Sequence, residues 1–184
     1  MATSDASDMI EVLRGLRQTR SYSSEPVSDD VLRTILEVAQ WTGSGGNKQP
    51  WRLVVVRDSD TRKQISALKA DTGWVAEAPV VIGVVTAGKT PGSSRFDAGR
   101  LVERMMLAAR AQGLVAAVIG FGAADSEPAV GARSLLNVPD DLWFTHAVVI
   151  GHPCPKDKDP GSKKSGRKPL DEIVVQERFL NQPS

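Results

Sequence analysis

The chain is poor in the residues that build covalent staples and metal centres. Cys154 is the only cysteine among 184 residues, which excludes an intrachain disulfide and a cysteine-based zinc site and fits a reducing compartment. His146 and His152 are the only histidines, too few for a metal cluster, so no metal is expected. Neither sign of charge is in excess. The 23 basic and 22 acidic side chains leave a formal net charge of +1, without the broad basic field that draws nucleic acid. No apolar run approaches the length of a membrane span. Met1 to Asp8 are polar and acidic, lacking the basic start and apolar stretch of a secretory signal. Together these absences describe a soluble cytoplasmic protein with no nucleic-acid or membrane partner, and residues 1–8 are expected to be disordered.

What is present suffices for a core. With 41% hydrophobic and 24% charged residues, the chain fits one domain over 1–184, burying roughly 70% of the surface its unfolded form would expose. There is no internal repeat and no interdomain linker. The most informative stretch is Gly43-Ser44-Gly45-Gly46-Asn47-Lys48-Gln49-Pro50-Trp51, running into the apolar Leu53-Val54-Val55-Val56. Glycines at 43, 45 and 46 open backbone conformations closed to other residues and permit close approach to a flat or phosphorylated ligand. Ser44, Asn47, Lys48 and Gln49 add hydroxyl, amide and ammonium groups beside that bare backbone. The plainer alternative is a helix-to-strand connection punctuated by Gly and Pro.

Hydrophobic spacing predicts helices alternating with short strands. Ile10, Leu13, Leu16 and Arg17 sit at helical spacing, as do Val31, Leu32, Ile35, Leu36, Val38 and Ala39, entered through Ser28 with Asp29 and Asp30 in the first turn. Residues 52–57 read as a buried strand, Asp58 or Ser59 caps a helix to about Ala70, and 79–86 form a second strand. The strongest helix spans 96–112, with Leu101, Met105, Ala108 and Ala109 on one face, and ends at Gly113. A third strand is expected over 114–119, a short helix over 127–136 and a fourth strand over 145–150.

Beyond Gly151 the composition changes. Residues 152–168 are rich in Pro, Gly, Lys and Asp and belong on a surface, after which Pro169-Leu170-Asp171-Glu172-Ile173-Val174-Val175 turns apolar again. This is either an arm that docks on a second subunit or an end that closes its own core. Arg17 and Arg20 flank Gln18-Thr19 where the first helix stops, a plausible phosphate clamp. Lys163, Lys164, Arg167 and Lys168 form a second basic cluster. Either cluster read alone also fits a solvated surface.

In order along the chain, Arg17-Gln18-Thr19-Arg20-Ser21-Tyr22 with Pro26-Val27, and Ser44-Gly45-Gly46-Asn47-Lys48-Gln49-Pro50-Trp51, resemble the opening of the FMN-dependent nitroreductase family. The agreement continues through Phe96-Asp97-Ala98-Gly99, Leu107-Ala108-Ala109, Gly113-Leu114, Leu135-Leu136-Asn137-Val138-Pro139, Gly151-His152-Pro153 and Arg167-Lys168-Pro169-Leu170-Asp171-Glu172. The resemblance implies an α+β fold: a three-layer α-β-α sandwich with a central mixed sheet. It also implies a homodimer that exchanges a C-terminal arm and holds FMN in two interface sites, with residues 152–184 as surface crossing and arm. By position, Arg17, Gln18, Thr19 and Arg20 with Arg167 would hold the FMN phosphate and ribityl chain, assisted by Lys168. Ser44, Gly45, Asn47 and Gln49 would line the isoalloxazine edge from the other subunit. Ile119, Gly120 and Phe121 would lie along the opposite ring face, with a backbone N–H near Gly120 or Phe121 directed at flavin N5.

The activity implied is electron transfer from NAD(P)H through bound FMN to a nitroaromatic, quinone or similar small acceptor, with ping-pong kinetics and no catalytic side-chain acid. Lys48 or the glycine-loop amides would stabilise the reduced ring. Two departures stand out. Leu16 occupies a position where the family usually has Arg, and Gln18 one where Ser or Thr is common; the short chain also suggests an open pocket. Two rival readings remain: a flavin enzyme of the same fold with other chemistry, such as dehydrogenation or flavin cleavage, and a non-catalytic flavin-binding protein.

Overall fold

Two apolar stripes and four β-branched runs account for the architecture. The computed structural model describes residues 3–87, 91–155 and 166–178. Helix α1 (Thr3–Gly15) is followed by α2 (Asp29–Gln40), whose N-cap is Ser28, its Oγ accepting from Val31 N at 3.3 Å, with Asp29 and Asp30 in the first turn. A single 3₁₀ turn (Gly45–Asn47) leads to β1 (Trp51–Val56). Asp58 caps α3 (Ser59–Ala67), accepting from both N and Oγ1 of Thr61, and these bonds hold its carboxyl below the usual range. Then come α4 (Trp74–Glu77), β2 (Val80–Ala87), α5 (Pro91–Ala111), β3 (Val115–Gly120), α6 (Glu127–Leu135), β4 (Leu142–Gly151) and α7 (Leu170–Ile173).

The strands form one sheet in the order β1-β2-β4-β3, every pair antiparallel. The expected mixed character reduces, among the described residues, to an isolated parallel bridge between Gln18 and Ala116. None of these pairs is a tight hairpin: α3 and α4 lie between β1 and β2, and α6 lies between β3 and β4. Between Val84 and Val85 the β2–β4 register shifts, with Val84 opposite His146 and Val85 opposite Phe144, so Thr145 is an extra residue in β4.

The sheet is covered on both faces. One face packs Val80, Ile82, Val84, Ala116, Val148 and Ile150 against Leu32, Ile35 and Ala39 of α2 and Leu101, Met105 and Ala109 of α5. The other packs Val81, Val85, Ile119, Ala147 and Val149 against Ile65 of α3, Val75 of α4 and Ala129 and Ala132 of α6. Each fully buried large side chain contributes about 1.5–3 kcal/mol. This is the α-β-α sandwich.

Two expectations change. Helix α1 is present from Thr3, where disorder to residue 8 was expected. Helix α5 begins five residues earlier than the apolar spacing indicates, at Pro91, a residue favoured in a first turn.

Candidate functional site

The outer edge of β3 is where the chain assembles its polar backbone. After α1 ends at Gly15, the chain runs beside this edge: Thr19 N donates to Ala116 O at 3.0 Å, and Val118 N donates to Gln18 Oε1 at 3.2 Å. Tyr22 fixes the turn that follows, its hydroxyl donating to Thr19 O at 2.9 Å, and burial raises its pKa. Further along the edge, Gly120 O accepts from Lys69 Nζ at 3.0 Å. Ala116, Val118 and Gly120 therefore direct their backbone groups outward, while Phe121 N turns inward to Thr145 O at 2.9 Å. The outward donor near the end of β3 is thus Gly120 N–H. Ile119 and Phe121 bury their side chains, Phe121 against Phe144 with ring centroids 5.2 Å apart. Of the two N–H groups expected near flavin N5, that of Phe121 is bonded within the sheet, which leaves that of Gly120 as the outward one.

Cations gather at both ends of this edge, four residues or about 13 Å apart. At the Ala116 end, a cavity of about 70 Å³ is lined by Gly15, Leu16, Arg17, Thr19, Met106, Arg110, Leu114, Val115 and Ala116. Two arginines face it and no carboxylate does. Arg17 is anchored through Nη1, which donates to Arg14 O and Leu16 O, each at 2.8 Å. Arg20 is elsewhere: its guanidinium lies over the Trp74 ring, 5.4 Å from the centroid. At the Gly120 end stands the Lys69 ammonium. Beside it His146 places Cδ2 and Nε2 3.5 Å from where a Cβ on Gly120 would sit, with Nδ1 3.0 Å from Thr145 Oγ1. Desolvation lowers the His146 pKa.

The glycine loop is a built structure. Gln49 N donates to Ser44 Oγ at 2.8 Å, and Gln49 Nε2 donates to Asn47 Oδ1 at 3.1 Å. Gly46, Asn47 and Gln49 all have positive φ, at +58°, +53° and +47°. A Cβ on Gly45 would meet nothing within 4 Å, whereas one on Gly43 would lie 2.8 Å from Arg100, whose Nη1 donates to Gly43 O at 2.8 Å. The loop precedes β1, at the same end of the sheet as Gly120 but on the opposite edge, three strand spacings or about 14 Å away. Within one chain the two groups of polar atoms do not converge.

Comparison with known proteins decides what this arrangement is related to. The sequence model of the nitroreductase family matches residues 13–87. A solved structure from Desulfovibrio desulfuricans, of a provisionally named nitroreductase in complex with FMN, is 32% identical and superposes with a TM-score of 0.76, over 94% of this chain and 98% of that one. The chain belongs to the nitroreductase family. Among curated relatives, the FMN reductase [NAD(P)H] of Bacillus subtilis is 27% identical, aligned over 95% of this chain and 76% of its own length. A provisionally named NADH dehydrogenase/NAD(P)H nitroreductase of Archaeoglobus fulgidus is 29% identical, over 79% of this chain and 86% of its own.

Within this nitroreductase fold, the residues singled out from sequence fall into three groups. Arg17, Gln18, Thr19 and Gly120 share the outer edge of β3. Ser44, Gly45, Asn47 and Gln49 share one loop on the other edge. Arg167 and Lys168 are exposed, Lys168 lying 4.0 Å from Glu172, and neither lines the cavity. Lys163 and Lys164 lie outside the described residues. Among the described residues no group of three or more His, Cys, Asp or Glu could hold a metal, and no helix is long and apolar enough to cross a membrane. Sequence reasoning missed Lys69 and Arg110, which sit on helix-rich stretches with no motif around them and reach the edge only through the packing of α3 and α5.

Proposed function

We propose that this protein is an FMN-dependent NAD(P)H oxidoreductase acting on a nitroaromatic, quinone or similar small acceptor. The observation that carries this reading is the outer edge of β3, with a cation-lined cavity at one end and an outward amide beside a lysine at the other, in a chain of the nitroreductase family. The printed names of two relatives, an FMN reductase [NAD(P)H] and a nitroreductase in complex with FMN, support the cofactor pair.

The residues fit the group. A phosphate suits two guanidiniums with no carboxylate nearby, a ribityl chain suits the hydroxyl and amide of Thr19 and Gln18, and the ring edge suits Gly120 N–H. Bound FMN supplies the redox chemistry, taking two electrons from NAD(P)H and giving them to the acceptor. Arg17 and Thr19 would hold the anionic end, whereas Arg20, over the Trp74 ring, and Arg167 lie outside the cavity lining. Lys69, held by its bond to Gly120 O, would place an ammonium beside the ring edge and favour the reduced, anionic ring. Both Lys69 and Lys48 are exposed, but Lys69 is tied to the β3 edge by this bond, whereas Lys48 stands on the glycine loop. No side-chain acid is needed, solvent supplying protons at an open face that both substrates use in turn.

The opposite-edge position of the glycine loop supports a homodimer in which Ser44, Gly45, Asn47 and Gln49 meet the flavin held by the partner's β3 edge. The tail supports it too. Leu170, Ile173, Val174 and Val175 are all exposed, so they do not close their own core, and Val174 is extended at φ −110°, ψ 119°. An extended apolar segment of this kind suits addition to the outer edge of a partner's β1.

The test begins with the purified protein. A yellow protein that releases FMN on denaturation at about one per subunit, and is bleached by NADH or NADPH without oxygen, supports the reading. Initial rates with a quinone at several NAD(P)H concentrations should give parallel double-reciprocal lines. A colourless protein that takes up no added FMN would sink the proposal.

A further inference from the structure

We propose that Arg110, on the last turn of α5, is a phosphate-binding residue for the flavin mononucleotide, seated there by Gly15. The inference rests on the FMN reading above and adds to it a cation that no sequence motif indicates. Arg110 lines the same cavity as Arg17 and Thr19, opposite β3. The cavity is lined by two arginines and no carboxylate, and at about 70 Å³ it suits one compact anion rather than an extended ligand.

The seat explains the placement. A Cβ on Gly15 would collide with the Arg110 guanidinium, Nη2 first and then Cζ at 2.9 Å. Only a residue without a side chain at position 15 lets this guanidinium lie against the end of α1. Position 16 is Leu, and Arg20 has turned away onto Trp74, so Arg17 is left as the one cation that the segment 14–20 contributes to the cavity lining. Arg110 supplies the second from a different element. Arg17 spends Nη1 on the carbonyls of Arg14 and Leu16, which also masks the negative end of α1 where an anion would otherwise be disfavoured.

A helix-terminal arginine also favours its own helix, so the test must separate phosphate binding from fold support. FMN and riboflavin differ only in the phosphate. Their dissociation constants are measured by flavin fluorescence titration of the apoprotein for the wild type, Arg110→Gln and Gly15→Ala, with melting curves for each. Gly15→Ala keeps the charge at 110 and displaces the guanidinium, a cheap shift because the colliding group is the flexible end of a long side chain. Both variants are expected to lose about 10-fold or more in FMN affinity, as for a charge-assisted hydrogen bond. Riboflavin affinity should change by less than about twofold, as the neutral ligand makes no such bond. The loss should shrink as salt is raised. If FMN and riboflavin weaken together, or if the variants keep the wild-type preference for FMN, the assignment is overturned while the flavin reading stands. If the wild type binds neither ligand, both fall.

Discussion

At the scale of single residues, the glycine loop holds an unfavourable backbone conformation, which the proposed flavin site would explain. Asn47 and Gln49 hold left-handed φ although neither is glycine, a conformation costing about 1–2 kcal/mol for a residue with a Cβ. Gln49→Gly relieves that cost while adding about 1 kcal/mol of unfolded-state entropy, so the apoprotein should be as stable as wild type or more so. FMN affinity should fall, because the side chain bridging Asn47 is gone. Melting curves and flavin titrations of the same samples check both halves; a variant that is less stable yet binds FMN normally would show that Gln49 serves the fold alone. His146 gives a second case. Its pKa is lowered by desolvation, so between that lowered value and the ordinary value of about 6.5 the unfolded chain binds more protons than the folded one. Stability is therefore fully present above the ordinary histidine range and declines as pH falls through it, levelling off below the folded pKa. His146→Gln should flatten that limb in denaturant titrations between pH 7 and pH 5; an unchanged slope would assign it to other groups.

At the scale of elements, what periodicity can see was legible and what depends on contact was not. The stripe Leu101, Met105, Ala108 and Ala109 is buried on α5, and Ser28 and Asp58 cap the helices they precede. These are local signals. The short α4 carries none, since four residues make one turn without a period. Leu16 and Arg17, read as the continuation of α1, instead leave the helix at Gly15 so that Gln18 and Thr19 can bond β3, a tertiary contact that overrides spacing. The site divides in the same way. Arg17, Gln18 and Thr19 are legible because they are consecutive, whereas Lys69 and Arg110 come to β3 from 51 residues before Gly120 and from the far end of α5. Of Gly120 and Phe121, which N–H faces outward was not legible, because a motif position does not reveal which way a strand alternates. Gly83 shows the strand packing at its tightest: a Cβ there would collide with the buried Phe144 ring. Gly83→Ala should cost about 1–3 kcal/mol through displacement of that ring, lowering the denaturant midpoint with little change in slope. A neutral effect would mean that the Phe121–Phe144 pair repacks freely.

At the scale of the whole molecule, most of the large apolar groups left in water lie on helices at the outside of the sandwich. Trp41 is 80% exposed at the end of α2, Phe96 67% on α5 and Leu170 72% on α7, and Met9, Ile10 and Leu13 of α1 are exposed as well. Scattered singly these would need no explanation, but α2 and α5 pack together on one face of the sheet and α1 lies against α5. In the proposed homodimer a second copy of this chain would cover them, bring the glycine loop to a β3 edge and give the apolar tail a place to dock. The expected outcome is a particle of twice the 19.7 kDa chain mass at micromolar concentration, measured by sedimentation or light scattering. Truncation after residue 165 removes Arg167, Lys168 and the exposed Leu170-to-Val175 segment together. It should weaken the dimer and lower FMN affinity in parallel, with the flavin lost on dilution at the same concentration at which the dimer dissociates. A wild-type protein that stays monomeric while holding FMN would break this link, and would require the β3 edge of a single chain to complete the site by itself.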